Sequence, residues 1–304
     1  MPRAADRLRL LREHVAAGRR AVERGYATGI AHVHGNTMAT LGRALSRAAA
    51  GRGRDPVSGA TLQQLAAVTG RVVRAGFAEL GEALASETGL AMVEGVRRVG
   101  SLVGGLTGGR TALDDVAVLH RAAAARRREV EEYRRFAARA AGDTAASYLQ
   151  ARLALTPVKG WRVDEAIAAA MSAADSQAWR VDRVARTEAA YAWNAAQDSG
   201  IAELAAGGVR GLMKRWTEHV SDVTGLPTDA ATAIDSVVLH GQVQAPHRLF
   251  HMPADPRAPG WSVGRSWEFP PNRPNDRAVL LPWRPDWSIP AWTVDAAGGD
   301  RRRV

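Results

Sequence analysis

Apolar and polar positions recur around residues 183–194 with the period of an α-helix. One face carries apolar side chains at three- and four-residue spacing: Val181, Val184, Ala185, Ala189, Ala192, Trp193 and Ala196. A second row at the same spacing is polar: Arg183, Thr187, Tyr191 and Asn194. Asp182 and Arg186 are four residues apart, a spacing at which helical side chains pair. The pattern predicts an amphipathic helix whose polar row either faces solvent or meets another part of the fold.

Helical periodicity also covers most of the chain before this helix. It predicts helices over residues 2–47, from about Thr61 onward, from Thr111 to about Leu155, and from Trp161 to Ala174. Gly, Pro and Ser in residues 51–59 are typical of a linker. Within the glycine-rich stretch 100–111, Gly104 to Thr111 have the spacing of a P-loop, but no convincing strand precedes them and Arg110 stands at the lysine position. The stretch is therefore interpreted as a flexible hinge between helices. Thr111 and Asp114 have the spacing of a helix N-terminal cap.

The pattern changes after residue 209, where helical periodicity fades and Gly, Pro and Trp become frequent. Short apolar runs, Val237–Leu239 and Val279–Leu281, favour small strands or extended segments. The predicted fold class is therefore α+β: a mainly α-helical N-terminal half followed by a small α+β module with short antiparallel strands.

Charge divides the chain earlier, near residue 156. Residues 1–156 hold 24 arginines and no lysine against 14 acidic residues, whereas residues 157–304 hold 17 basic and 17 acidic ones. All nine tryptophans lie in the second half. We therefore expect a basic helical region at 1–156, a compact module at 157–292 and a basic tail at 293–304. The basic excess of the first region would suit either phosphate groups or an acidic protein surface.

Candidate chemistry narrows the function classes. The chain has no cysteine, which excludes disulfides and thiolate catalysis. The histidine pairs His32/His34 and His247/His251 lack the accompanying ligands of a metal motif. We found no nucleophile with a base and an orienting partner, so we expect no catalytic, cofactor-binding or metal-binding residues and no enzyme activity. No apolar run approaches the roughly 18 residues of a membrane span.

Four motifs then follow one another in the second half. They are Arg186-Thr187-Glu188 with a downstream Asn194, Lys214-Arg215-Trp216 followed by Asp222, Gly241-Gln242-Val243 followed by Phe250, and the closing segment 270–282, which contains Pro274, Asn275 and Arg277. In this order the motifs resemble the phage Mu F-like family of minor head proteins, also called head morphogenesis proteins. The resemblance covers about residues 180–285.

The resemblance implies a low-copy component of a phage head that associates with the portal and capsid proteins and affects DNA packaging or ejection. It implies a location inside the virion, after assembly in the host cytoplasm. The closing segment departs from the family pattern, because Asp276 and Ala278 stand at its cysteine positions and Arg273 at its histidine position. These departures remove any metal or redox role that the family residues serve. We expect Arg186, Glu188 and Asn194 to hydrogen-bond to the segments around Asp222 and Asn275, as fold-determining residues.

Two alternatives remain open from the sequence. The polar row of the helix at 183–194, with Glu188 and Asp222, could line a cleft of an enzyme that acts on nucleic acid, such as a nuclease or a transferase-like effector. Alternatively, residues 1–156 could make non-specific contacts with DNA in a stand-alone binding protein.

Overall fold

The structure, a computed structural model, describes most of the chain. The described residues are 10–11, 13–14, 17–18, 20, 34–154, 161–218, 234–254, 260–273, 276 and 278–287. The described positions between 10 and 20 are helical. The helices that follow are α1 (34–48), α2 (Gly59–Thr107), α3 (Val116–Ala124), α4 (Arg127–Ala154), α5 (Val163–Asp175), α6 (Ala178–Ala206) and α7 (Ile234–Leu239). None of the described helices combines the length and the apolar character needed to cross a membrane.

The described strands are short and antiparallel. They are β1 (Met213–Thr217), β2 (Val243–Gln244), β3 (Phe250–His251), β4 (Ser266–Trp267) and β5 (Val279–Trp283). One sheet has the order β2-β1-β5, with Lys214 opposite Gln244 on one side and Trp216 opposite Leu280 on the other. A second sheet pairs β3 with β4. The predicted fold class, α+β with a helical N-terminal half, is confirmed.

The glycine-rich stretch at 100–111 is not a hinge over most of its length, because α2 continues through it to Thr107. Its glycines allow close packing instead: a Cβ atom on Gly100 would lie 2.9 Å from the Leu113 Cβ, and one on Gly104 would lie 2.9 Å from the Gly109 carbonyl oxygen. The helix ends where Gly108 adopts a φ of 75°. The predicted hinge was therefore wrong for residues 100–107.

The long helix predicted from Thr111 to about Leu155 is broken. Asp114 does accept a hydrogen bond from the Thr111 backbone N–H at 2.6 Å, but it closes only the 3-10 turn Ala112–Asp114. Asp115 then caps α3, which ends at Ala124 before α4 begins at Arg127. The break leaves Arg126 at the start of α4, where its side chain pairs with carboxylates that are distant in sequence.

The run Val237–Leu239 is helical rather than extended, since it forms the end of α7. A three-residue apolar run carries no period of its own, and tertiary contacts decide its conformation. Val279–Leu281 lies in β5 as predicted, and α5 covers most of the helix predicted from Trp161 to Ala174. The helix α6 spans the predicted helix at 183–194 and ends before Gly208, which has a φ of 99°. Much of the helix predicted over residues 2–47, and the whole tail 293–304, lie outside the described residues.

The contacts divide the chain into two compact units, and the division does not fall at the boundary expected near residue 156. The strand-containing unit comprises Met1–Val22, Thr88–Val130 and Ala189–Val304, and the helical unit comprises Glu23–Glu87 and Glu131–Glu188. Each unit therefore takes segments from both halves of the sequence. The basic region 1–156 is not a compact body on its own.

Each unit has its own apolar core. In the helical unit, Leu41 and Leu45 of α1 pack with Leu65 and Leu80 of α2 and with Leu149 of α4, all fully or almost fully buried. In the strand-containing unit, the core gathers residues of α2, α6 and the sheet. Its members include Met92, Val96, Ala196, Ile201, Trp216, Phe250 and Leu280.

Candidate functional site

Lys214, in the central strand β1, is fully buried in the strand-containing unit. Its ammonium group donates to Asp198 Oδ1 at 2.7 Å and to the Glu268 carbonyl oxygen at 2.8 Å, and it lies 5.6 Å from the centre of the Phe250 ring. Asp198 is on α6, one helical turn after Asn194, and its side chain is 4% exposed. A buried lysine is stable only when its charge is compensated in this way.

Arg126 extends this pair into a network. Its guanidinium lies 3.3 Å from Asp198 Oδ2 and donates to both carboxylate oxygens of Glu268, one of them at 2.7 Å. It also lies 5.3 Å from the centre of the Phe269 ring. Asp198 therefore bridges two cations, and we refer to Arg126, Asp198, Lys214 and Glu268 as the charge network.

The pKa values of the network follow from burial and charge together. Burial raises the pKa of Asp198, although Lys214 and Arg126 oppose this effect. Burial alone would lower the pKa of Arg126, but Glu268 and Asp198 outweigh it and raise the pKa above its ordinary value. Because each Asp198 oxygen already faces a cation, this carboxylate is poorly suited to act as a general base. The network is arranged to hold α6, β1 and the segment at Glu268 together.

Asn194 joins α6 to β5 through both ends of its amide group. Its Nδ2 donates to the Ala278 carbonyl oxygen at 3.0 Å, and its Oδ1 accepts from the Leu280 N–H at 2.8 Å. A fully buried side chain thus satisfies two backbone groups of the segment that enters the sheet. Asn194 thus contacts the closing segment, as predicted.

A second polar cluster surrounds Trp216. Its indole N–H donates to Glu218 Oε1 at 2.8 Å, and the Glu218 backbone N–H donates to His240 Nδ1 at 3.0 Å. Gly241 has a φ of 80°, and its N–H donates to the Trp216 carbonyl oxygen at 2.8 Å. The Phe250 ring packs edge-on against the Trp216 ring at a centroid distance of 5.3 Å. The motif residues Trp216, Gly241 and Phe250 therefore meet in one place.

The closing segment is held by charges and hydrogen bonds. Asp276 accepts from the backbone N–H groups of Asn272, at 3.0 Å, and of Ala278, at 2.9 Å, and burial raises its pKa. Arg273 donates to Asp235 Oδ2 at 2.8 Å and to Ser236 Oγ at 2.6 Å. The arginine and the aspartate that depart from the family pattern thus have partners that suit them. They tie the segment to α7 and to its own backbone.

The Arg-Thr-Glu motif belongs to the helical unit. Arg186 pairs with Asp182 of its own helix at 3.5 Å, as its spacing predicts, and Thr187 Oγ1 donates to the Arg183 carbonyl oxygen at 2.7 Å. Glu188 is buried, and within the described residues its Oε2 atom has no hydrogen-bond partner. Burial raises the pKa of Glu188 to about 8 against the opposing charge of Arg134. Asp222 and Asn275, at the centres of the two segments that Glu188 was expected to contact, lie outside the described residues.

Arg134 explains the position of Glu188. Its buried guanidinium donates to the carbonyl oxygens of Glu188, at 3.2 Å and 3.4 Å, and of Leu84. Burial lowers the pKa of Arg134 to about 10, and the Glu188 charge opposes this shift. The guanidinium links α4 to the backbones of α2 and α6, so its partner Glu188 faces the interior of the helical unit.

Four of the predicted residues cannot be placed. Asp222, Pro274, Asn275 and Arg277 lie outside the described residues. Among the residues that are described, no group of His, Asp and Glu side chains is arranged to hold a metal ion. A cavity of about 30 Å³ in the helical unit, lined mainly by apolar side chains such as Met38, Phe77 and Leu80, has room for only a water or two.

Sequence reasoning missed most partners of the motif residues. Asp198 follows Asn194 by four residues, and Glu218 follows Trp216 by two, so helix and strand periodicity place each on the face of a named residue. That periodicity was a usable signal. Arg126, Glu268 and His240 carried none, because their partners lie far away in the sequence.

Comparison of the chain with protein-family models, with curated proteins and with solved structures found no match.

Proposed function

We propose that this chain is a minor head protein of a tailed phage or phage-like particle, a structural and assembly component that lies inside the capsid and associates with the portal. The support from the sequence is the ordered series of motifs between residues 186 and 282. The support from the geometry is that several of those motif residues are buried and bond to backbone groups or to buried charges.

One observation carries the proposal. Asn194, Lys214, Trp216, Gly241 and Phe250 come from separate parts of the sequence and meet in the interior of the strand-containing unit. Their polar atoms bond to the backbone or to buried charges rather than lining an open cleft. This is the use expected of residues that define a module, and it favours a structural role over a catalytic one.

The departures from the family pattern fit the same proposal. Arg273 and Asp276 replace a histidine and a cysteine, yet both are incorporated into hydrogen bonds that hold the closing segment. A structural role survives such replacements more easily than a catalytic or metal-binding one. The proposal therefore assigns the family-like module to fold and assembly, and not to chemistry.

Removing the gene from cells that produce the particle tests the proposal. We expect fewer complete heads, altered DNA content or lower infectivity, with recovery when the gene is supplied in trans. A complementing variant with Arg98 replaced, Arg98→Met, should also restore assembly, because Arg98 is an exposed partner of Glu94 on α2. Normal yield, DNA content and infectivity without the gene would overturn the proposal.

Binding to DNA is a separate measurement and uses the full chain, since residues 1–156 do not form a compact unit. Affinity for duplex DNA that falls steeply with salt and ignores sequence would add DNA contact to the assembly role. Cleavage of nucleic acid that is lost in Glu188→Gln, with the fold intact, would favour the enzyme alternative instead.

A further inference from the structure

The helical unit carries an excess of positive charge on α1, on the linker after it and on the first part of α2. Residues 34–78 contain six arginines but a single acidic residue, Asp55. All six arginines are exposed. Arg74 pairs with Asp143 at 2.9 Å, whereas the other five form no ion pair with any described residue. Their charge is therefore available to a partner outside the chain.

The helices α1 and α2 run antiparallel, so their exposed faces lie side by side. Near the start of α1, Thr37 lies against Gly76 of α2, where an added Cβ atom would meet the Thr37 side chain. Just after the end of α1, Arg52 donates to the Gln64 side chain of α2 at 3.3 Å. These two contacts, far apart on each helix, fix the relative direction of the helices.

Periodicity then places four arginines on this shared surface. Arg43 and Arg47 are one helical turn apart on the exposed side of α1. Arg71 follows Gln64 by seven residues, which is about two helical turns, so it lies on the side of α2 that contacts Arg52. We call Arg43, Arg47, Arg52 and Arg71 the arginine face.

Nothing around the arginine face offsets its charge. The hydrogen bonds of Arg43 and Arg52 go to neutral oxygen atoms. Asp164, whose backbone N–H donates to the Gly53 carbonyl oxygen of the linker, is itself paired with Arg162 at 2.8 Å. The other exposed side chains of the region are small or polar, and none of those described between residues 35 and 78 is aromatic or a large aliphatic one.

These properties select among the partners that positive charge attracts. A membrane-bound helix needs bulky apolar side chains, and a single-stranded nucleic acid is held by aromatic rings on which its bases stack. A tight protein contact needs aromatic or other large anchors. Guanidinium groups with hydroxyl and amide side chains beside them suit phosphate oxygens instead. Duplex DNA presents such phosphates at high density, so it is the partner that fits this surface.

We propose that the arginine face binds the phosphate backbone of duplex DNA without reading the base sequence. Each guanidinium group neutralises about one phosphate, and the counterions that this phosphate held are released. The positive charge of the N-terminal half thereby acts through one surface of the helical unit. The inference rests on these charges and their neighbours, and it stands independently of the proposed head function.

Fluorescence anisotropy of a labelled DNA duplex, titrated with the full chain at several salt concentrations between about 50 and 200 mM, tests the proposal. The logarithm of the association constant should fall linearly with the logarithm of the salt concentration. The slope is about −0.9 for each phosphate contact, or about −3.6 for the four arginines. Two duplexes of unrelated sequence should bind alike.

Paired substitutions assign the binding to this surface. Arg43→Gln combined with Arg47→Gln should make the slope less negative by about 1.8, because two phosphate contacts are lost. Glutamine keeps the helix propensity of arginine, and both positions are exposed. The matched control is Arg97→Gln combined with Arg98→Gln, which removes the same charge from exposed residues of α2 that pair with Glu94. The control should leave the slope unchanged.

Several results would overturn the proposal. They are a chain that does not bind the duplex, a slope that the arginine substitutions leave unchanged, and an equal change of slope in the control. Tighter binding to a single strand of the same length, or binding to anionic lipid vesicles in place of the duplex, would overturn it as well. Head assembly is measured separately in cells, so a failure of either proposal leaves the other standing.

Discussion

Replacing Lys214 by methionine removes one charge from the centre of the charge network and keeps a side chain of similar length. Asp198 would then retain only Arg126, 3.3 Å from its Oδ2 atom, as a cation among the network residues. The Glu268 carbonyl oxygen would lose its 2.8 Å hydrogen bond as well. The Lys214 and Asp198 side chains are 0% and 4% exposed, so solvent does not screen the loss.

The size of the effect follows from this burial. Removal of one member of a buried ion pair typically costs about 3–5 kcal/mol, because the remaining charge is left uncompensated. Arg126 compensates Asp198 in part, so we expect about 3 kcal/mol of lost stability for Lys214→Met. Neutralising the remaining charge with Asp198→Asn in the same chain should recover at least about 1 kcal/mol, since the two residues are directly coupled.

Urea unfolding followed by tryptophan fluorescence measures these differences. Arg98→Met is the control, because Arg98 pairs with Glu94 at 2.7 Å on the surface, with 51% and 31% of the two side chains exposed. Exposed pairs contribute about 1 kcal/mol or less. If Lys214→Met costs no more than Arg98→Met, or if Asp198→Asn adds to its cost, Lys214 is not held by a buried carboxylate and the description of the network is wrong.

Three further predictions concern other buried groups. Asn194→Ala should cost about 2–4 kcal/mol in the same unfolding assay, because it leaves two buried backbone groups of the closing segment unsatisfied. The control Asn36→Ala, at an exposed position of α1, should cost little. Equal costs for the two variants would contradict the role of Asn194. Burial lowers the pKa of His14 to about 4 from 6.5, so the unfolded chain takes up the proton first as the pH drops. The free energy of unfolding should therefore fall by up to about 3 kcal/mol between pH 6.5 and pH 4. His14→Asn should flatten that part of the stability curve, and an unchanged slope would refute this prediction. Burial raises the pKa of Glu188 to about 8 from 4.5, so the folded chain keeps a proton that the unfolded chain releases, and stability should fall as the pH rises from 4.5 to 8. Glu188→Gln should remove this fall and be the more stable protein at pH 8. Parallel stability curves for the two proteins would contradict the burial of the carboxyl group.

Helical periodicity predicted the main elements correctly because it reports local amphipathicity. The helix at 183–194 was placed by its two rows of side chains, and α6 spans it. The expectation that Asn194 and Glu188 meet the segments around Asp222 and Asn275 rested on the ordered motifs of the resemblance, and Asn194 does meet the closing segment at Ala278. The described partner of Glu188 is Arg134 of α4, which spacing along one helix could not indicate.

The glycine stretch at 100–107 and the run Val237–Leu239 were misjudged for a related reason. Glycine is permissive, so by itself it predicts either a flexible joint or a close approach, and the contact with Leu113 that requires Gly100 is tertiary. Likewise the partners of Asp235 in α7, Asn272 and Arg273, lie more than thirty residues away. Local sequence carries no signal for such contacts.

The composition of the chain did not predict how the chain divides into units either. Charge and tryptophan content change near residue 156, and this change predicted two bodies meeting there. The compact units instead combine segments from both sides of that point. Composition describes the surface and the aromatic content of a segment, whereas the unit to which a segment belongs depends on which helix faces pack together.

The most direct measurement of the central proposal is to quantify this chain by mass spectrometry in gradient-purified heads after nuclease treatment and a high-salt wash. If the chain is a minor head protein, we expect a low, constant number of copies per portal assembly to remain after both treatments. Absence of the chain from purified heads, or its complete removal with the nucleic acid, would contradict an assembly role and leave non-specific DNA binding as the better account.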